Sequence, residues 1–209
     1  MKIELLASTP NPEELIVKAG RVCYQSVSRS KGSDKALIKS LIKSGHLSVL
    51  EHASATFKIS DVSRAMTHQL VRHRLCSFSQ QSQRYVKEDQ FQFVIPTSIL
   101  SLDSTLKDQN SEELPAKKEF ENDMKIIQGM YNKWKLQGLK NEDARALLPN
   151  ACCTTIVVTA NFRQWRAMIK ERCDYHAQEE IRKVMLECLQ KLHEISPVIF
   201  KDLYLFFLN

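Results

Sequence analysis

Between residues 69 and 84 the chain gathers side chains that donate hydrogen bonds or carry positive charge: Gln69, Arg72, His73, Arg74, Ser77, Gln80, Gln81, Ser82, Gln83 and Arg84. No carboxylate interrupts the run. Arginine binds phosphate through two parallel charge-assisted bonds, and glutamine amides with a serine hydroxyl can read the edge of a base. Helical spacing places Gln69 and Arg72 on one face, with His73 beside it and Arg74 at the helix end. Ser82 and Arg84, two apart on an extended segment, point the same way. The plain alternative is a solvated basic helix end followed by a polar turn. The amides and the Ser82-x-Arg84 pair argue for a ligand, because a donor-rich surface without counter-groups is costly until something completes it.

The same residues carry a family resemblance. Arg72-His73-Arg74, seven residues and then Ser82 resembles the signature of flavin-dependent thymidylate synthases, the thymidylate synthase-complementing proteins. Gln69 ahead of it and Gln80 to Tyr85 behind it are similar to the family as well. So are Gly45-His46-Leu47-Ser48-Val49-Leu50-Glu51-His52 upstream, and Ala144-Arg145, Leu148-Pro149, Asn161, Arg163 and Glu171 to Gln178 downstream. The matches keep family order over roughly residues 20 to 182.

The resemblance implies an enzyme that converts dUMP to dTMP. Methylene-tetrahydrofolate gives the carbon, NADPH reduces FAD, and the flavin's hydride reaches the nucleotide, with no metal required. It implies FAD contacts for His46, Ser48, Glu51, Arg72, His73, Arg74, Gln80, Asn161, Arg163 and position 167. It implies dUMP contacts for Gln69, Arg72, Gln80, Gln81, Ser82, Gln83, Arg84, Arg145 and Arg172. Arg172 is the expected catalytic group: a guanidinium against the uracil polarises the ring electrostatically, and arginine stays charged at any working pH. Ser82 is read as a hydrogen-bonder, since no neighbouring base is evident to make it a nucleophile. Ala167 departs from the family, which usually carries His or Asn there; one polar flavin contact is lost. Cys23 and Cys76 are read as packing thiols. The family is homotetrameric, with active sites built by more than one subunit.

The elements that must position these residues read as α+β, a mixed or antiparallel central sheet with flanking helices, in one domain over 1–209. Residues 2–6 suggest an edge strand. Asn11-Pro12-Glu13-Glu14 starts a helix running to about Cys23. Ser33-Asp34 opens a second helix that ends at Gly45. Alternation over 53–59 predicts a half-buried strand, and Asp61 is read as capping a third helix through Arg72. Residues 75–81 read as an ordered loop, with short strands at Arg84–Val86 and Phe91–Ile95. The Ser, Asp, Asn and Thr-rich stretch 97–113 reads as a flexible surface segment. Helices are predicted over 116–136, from Asn141 to Pro149, over 161–172 and 175–194, and from Pro197 to Phe207. A buried strand is predicted over 153–159.

Composition excludes several classes. The 209 residues are 43% apolar and 26% charged, which suits a packed globular chain. The net charge of +6 and pI near 9.0 favour an anionic partner. No block of five Lys or Arg occurs, which weakens a nucleic-acid reading. Five glycines form neither a dinucleotide fingerprint nor a phosphate loop. The six cysteines include no C-x-x-C pair, and neither they nor the histidines fit a zinc spacing. With no export signal and no apolar run of about 18 residues, the expected place is the cytoplasm, away from membranes.

Overall fold

The computed structural model describes residues 1–24, 31–102, 105–107 and 113–209. In chain order the elements are β1 (Lys2–Ser8), α1 (Pro12–Tyr24), α2 (Lys31–Lys43), a 3-10 turn (Leu47–His52), β2 (Ser54–Ser63), α3 (Arg64–Leu70), β3 (Cys76–Gln80), α4 (Thr97–Leu100), β4 (Thr105–Lys107) and β5 (Glu113–Pro115). The 21-residue α5 (Ala116–Leu136) follows, then α6 (Asn141–Ala144), a 3-10 turn (Arg145–Leu147), β6 (Cys153–Asn161), α7 (Phe162–Arg172), α8 (Glu179–Ile195) and α9 (Pro197–Phe207). Four strands form an antiparallel sheet in the order β1-β2-β6-β3, and β4 pairs with β5 as a separate hairpin, Leu106 opposite Leu114. The α+β class expected from the sequence is the class observed. No described helix is long and apolar enough to cross a membrane.

Alternation drives the central strands. Along β2, Ala55, Phe57 and Ile59 are buried and Ser54, Thr56 and Lys58 are not; along β6, Thr154, Ile156, Val158 and Ala160 alternate with half-buried Cys153, Thr155, Val157 and Thr159. Period-two burial of this kind puts one face of each strand on the core. Both strands run directly into helices, and each junction is sealed by a side-chain cap. The Ser63 hydroxyl accepts from the backbone N–H of Met66 at 3.0 Å, and Asn161 Oδ1 accepts from that of Gln164 at 2.8 Å. Each satisfies one of the orphan donors of a helix start.

The chain divides into two compact units. The first comprises Met1–Ile59, Leu70–Ser79 and Val157–Asn209. Its core holds Phe57 edge-on to Trp165 at 5.0 Å and Phe162 edge-on to Phe200 at 5.2 Å, and the Trp165 indole donates to the Ala55 carbonyl. Such rings combine a large buried area with a defined geometry. The second comprises Ser60–Gln69 and Gln80–Ile156. There Phe91, Met124 and Cys152 pack with Phe93, Phe120, Ile127 and Leu148. Gln128 on α5 accepts from the Phe91 N–H and donates to the Glu88 carbonyl, fastening an irregular segment to the helix.

Several expectations are corrected. Asp61 does not cap a helix: β2 continues through it to Ser63, and Asp61 takes a left-handed φ of 57°. Short polar residues tolerate that conformation, so the strand continues through it. α3 is confined to Arg64–Leu70, because its buried stripe, Met66 and Leu70, has no apolar successor at 73 or 74. Gln69 and Arg72 therefore do not share a helical face. The 75–81 segment is not a loop: Cys76–Gln80 is the edge strand β3, with no residue fully buried. Arg84–Val86 is a turn, the Tyr85 and Val86 N–H groups both donating to the Ser82 carbonyl, so Ser82 and Arg84 do not alternate along a strand. Of the Phe91–Ile95 strand only a single bridge, Phe93 to Cys152, is formed. The expected flexibility of 97–113 is not among these corrections: the segment holds α4, β4 and the first residue of β5, and 103–104 and 108–112 lie outside the described residues.

Candidate active site

In the first unit, the turn between α3 and β3 presents Arg72, His73 and Arg74. Arg72 and Arg74 are exposed and make no ion pair with another described residue. His73 is held: Arg172, the last residue of α7, donates its Nε–H to His73 Nε2 at 3.0 Å. An accepting Nε2 places the imidazole proton on Nδ1, which lies 4.0 Å from Glu171 Oε2. Burial pushes the His73 pKa below its ordinary value; Glu171 opposes that shift and Arg172 adds to it. The ring is therefore neutral near pH 7. Arg172 Nη2 also reaches Glu171 Oε1 at 3.0 Å, so its guanidinium is fixed from two sides. Residues 99 apart in sequence, both singled out beforehand, meet here.

A cavity of about 350 Å³ in the same unit is lined by His46, Ser48 and Arg163 together with Cys23, Leu47 and Val49. Gly45 ends α2 with φ of 74°, a conformation open to glycine, and delivers His46 to this cavity. Glu51 does not stand alone: its Oε1 accepts from Arg163 Nη1 at 2.6 Å. Asn161 has its side-chain oxygen engaged in the α7 cap, so that oxygen has a structural role. Ala167, one turn beyond Arg163, is exposed on α7. Cys76 is half-buried with Sγ 3.7 Å from Met168 Sδ, and burial pushes its thiol up to about 11. That suits a packing thiol.

In the second unit, Arg84 and Arg145 converge on Glu142. Arg84 Nη2 donates to Glu142 Oε2 at 3.3 Å, and Arg145 Nε donates to the Glu142 carbonyl at 3.1 Å. Arg84 also lies over the Tyr85 ring. Ser82 organises the adjoining turn, its hydroxyl accepting from the Arg84 N–H. The glutamines are less available than their composition suggests. Gln69 donates to the Ala65 carbonyl. Gln80 donates to the hydroxyls of Thr67 and Thr154 at 2.9 and 3.3 Å, and Gln81 donates to Glu88 at 3.3 Å. Gln83 is buried, and its Nε2 has no hydrogen-bond partner among the described residues.

Three residues here escaped sequence reasoning. Arg64 donates to the Gln81 carbonyl at 3.4 Å; burial lowers its pKa, with Arg145 adding to the shift. Glu88 is buried, which raises its carboxyl pKa against the pull of Arg64 and Gln81. Glu142 is the residue on which two arginines meet. Reading Asp61 as the helix cap hid the signal for the first, since Ser63 as the cap makes Arg64 the first helical residue.

With this geometry in view, comparison with known proteins decides the ancestry. The family model described as thymidylate synthase complementing protein matches residues 4–198. The chain belongs to this family. It is 39% identical to a protein of Clostridium tetani named flavin-dependent thymidylate synthase, over 96% of this chain and 86% of that one. A protein of the same name from Geobacter sulfurreducens is 40% identical, covering 97% of this chain and 86% of its own. Another from Mycobacterium avium is 40% identical over 90% and 78% respectively. The chain thus joins a family of enzymes, as the arginine, histidine and serine motif implied.

Proposed function

We propose that residues 1–209 act as one flavin-dependent thymidylate synthase domain, converting dUMP to dTMP with methylene-tetrahydrofolate as carbon donor and NADPH as reductant. The observation that carries the reading is the Arg172–His73 bond, which holds a charged guanidinium rigidly on a neutral acceptor. Family membership and the names of the relatives support the reaction class.

The residues present fit FAD. Exposed Arg72 and Arg74 make no ion pair with another described residue, and a polar cavity holds His46, Ser48 and Arg163. Anionic phosphates would neutralise the former, and Ser48 and His46 offer donors in the latter. FAD, when bound, supplies the hydride for the nucleotide. Glu51 positions Arg163 for that cofactor, with Asn161 setting the start of α7; Gln80 contributes through its carbonyl end, and His73 holds Arg172 in place. At Ala167 the chain offers space in place of a polar contact.

For dUMP, Arg84 and Arg145 are the phosphate ligands, and Ser82 with its turn sets their approach. Gln69, Gln81 and Gln83 are the base and sugar contacts, and Gln83 Nε2, which has no hydrogen-bond partner among the described residues, is the donor most in need of one. Arg72 is assigned to both ligands on the family resemblance. Arg172 polarises the uracil: a fixed positive charge favours negative charge developing on the ring and makes its carbon more nucleophilic. His73, being neutral, neither adds to that charge nor offsets it, and the exposed Glu171 carboxylate at 3.0 Å is the counter-ion that holds the guanidinium in place. The protein is read as a cytoplasmic homotetramer whose subunits complete one another's sites.

The test is the full assay on purified protein, following dTMP from dUMP with FAD, NADPH and methylene-tetrahydrofolate omitted in turn. Loss of product in each omission is expected. Product formed without flavin, or a colourless protein that ignores FAD and dUMP, overturns the reading.

A further inference from the structure

A second cavity of the first unit, about 500 Å³, opens among α2, α7 and α9. Lys39 and Lys43 from α2, Lys170 from α7 and Lys201 from α9 line it, and none of the four makes an ion pair with another described residue. Lys39 and Lys43 are one turn apart and project from one helix face. Beneath them lies Arg166, only 3% exposed. Its two terminal nitrogens are bound to Asp202 at 2.7 and 2.5 Å, with a further bond to the Ile199 carbonyl, while its buried Nε has no hydrogen-bond partner among the described residues. Asp202 is thereby occupied by Arg166 and leaves the four ammonium groups uncompensated. The remaining wall is aliphatic: Ile42, Leu47, Val198 and Leu205.

Four like charges around one concavity repel one another, and water only partly screens them. A single carboxylate would answer one of them. A run of phosphates would answer several, since lysine binds phosphate as a mobile point charge. The aliphatic wall calls for an apolar or flat ring in the same molecule, and the volume lies in the range of small-ligand pockets. We propose that this cavity is a binding site for a nucleoside polyphosphate, its phosphates on the lysine rim and its base on the aliphatic wall. The cavity is distinct from the one lined by His46, Ser48 and Arg163, although Leu47 borders both. Its occupant therefore adds to the candidate reaction site without replacing anything there.

The experiment is calorimetric titration of the full chain, first saturated with FAD and dUMP, with ATP as the probe. One saturable site per chain is expected. Charge reversal at two exposed positions, Lys39→Glu with Lys201→Glu, should weaken ATP at least about tenfold while leaving dTMP formation unchanged. Leu205→Ser, also at an exposed position, should weaken ATP but not inorganic tripolyphosphate, which has no ring to place on the wall. The proposal is overturned by absence of saturable ATP binding below about 1 mM, or by ATP affinity indifferent to the double reversal. It is equally overturned if tripolyphosphate binds as tightly as ATP, or if phosphatidylglycerol vesicles capture the protein in preference to ATP. A protein that takes up no FAD refutes the flavin reading alone, and the ATP titration then remains readable.

Discussion

Replacing Arg172 by alanine separates the site's chemistry from its stability. The guanidinium makes one charge-assisted bond to His73 Nε2 at 3.0 Å and one contact with Glu171 at 3.0 Å. The His73 side chain is 9% exposed and the Arg172 side chain 20%. A bond to a charged group contributes about 1.5–3 kcal/mol, and water reaching the vacated space compensates part of the acceptor left behind. A net loss of about 2 kcal/mol follows, against the roughly 5–15 kcal/mol of a typical domain. The variant should therefore fold, with a lowered denaturant midpoint. Turnover should fall further: a single preorganised charge donor facing the transition state is commonly worth about 10²–10³ in kcat. Arg172 also helps to lower the His73 pKa, so its removal should move the imidazole titration upward, as read by NMR. Arg172→Lys keeps the charge without the fork and should recover part of the rate. If folded Arg172→Ala turned over dUMP within about threefold of the parent, Arg172 would have no part in the mechanism.

Further outcomes follow from the same geometry. Arg84→Ala and Arg145→Ala should each raise the KM for dUMP about tenfold or more with smaller effects on kcat. The double variant should fall short of the product of the singles, because both arginines rest on Glu142; steady-state kinetics checks this. Phe57→Ala, which removes a fully buried ring packed on Trp165, should cost about 3–5 kcal/mol in equilibrium unfolding. The His73 pKa is depressed in the fold, so its contribution to stability is complete above the ordinary value of 6.5 and is lost as pH falls below it. Thermal scans should show that decline, and His73→Gln should flatten it. Glu88 has the opposite sign: its raised pKa means that ionisation opposes folding as pH rises above 4.5. Glu88→Gln should raise the melting temperature at pH 7 and lose the advantage in acid, provided its bond from Gln81 is kept.

The long periodic helices and the two alternating central strands were legible in the sequence because their burial is written in local spacing. α5 lies where its stripe places it, and α9 begins at Pro197 as expected. The failures fall where partners from elsewhere override local pattern. β3 is polar, with Ser77 and Ser79 exposed, and its strand state depends on a neighbouring strand. The turn at Ser82 arises from backbone donors converging on one carbonyl, which no alternation rule anticipates.

For the candidate site, sequence alone determined the inventory: which arginines, amides and histidines are present, in family order, and hence the reaction class that the family match supports. Charge and hydrogen-bonding capacity belong to residue types and survive any rearrangement of the chain. Tertiary structure decided which of those capacities remain available. It spent Gln80 on two threonines, turned Gln81 to Glu88, set Glu51 on Arg163 and Asn161 on a helix start. It also locked Arg172 onto His73 across 99 residues. Hydrogen bonds saturate within about 3 Å, so their allocation depends on distances that only the folded backbone sets.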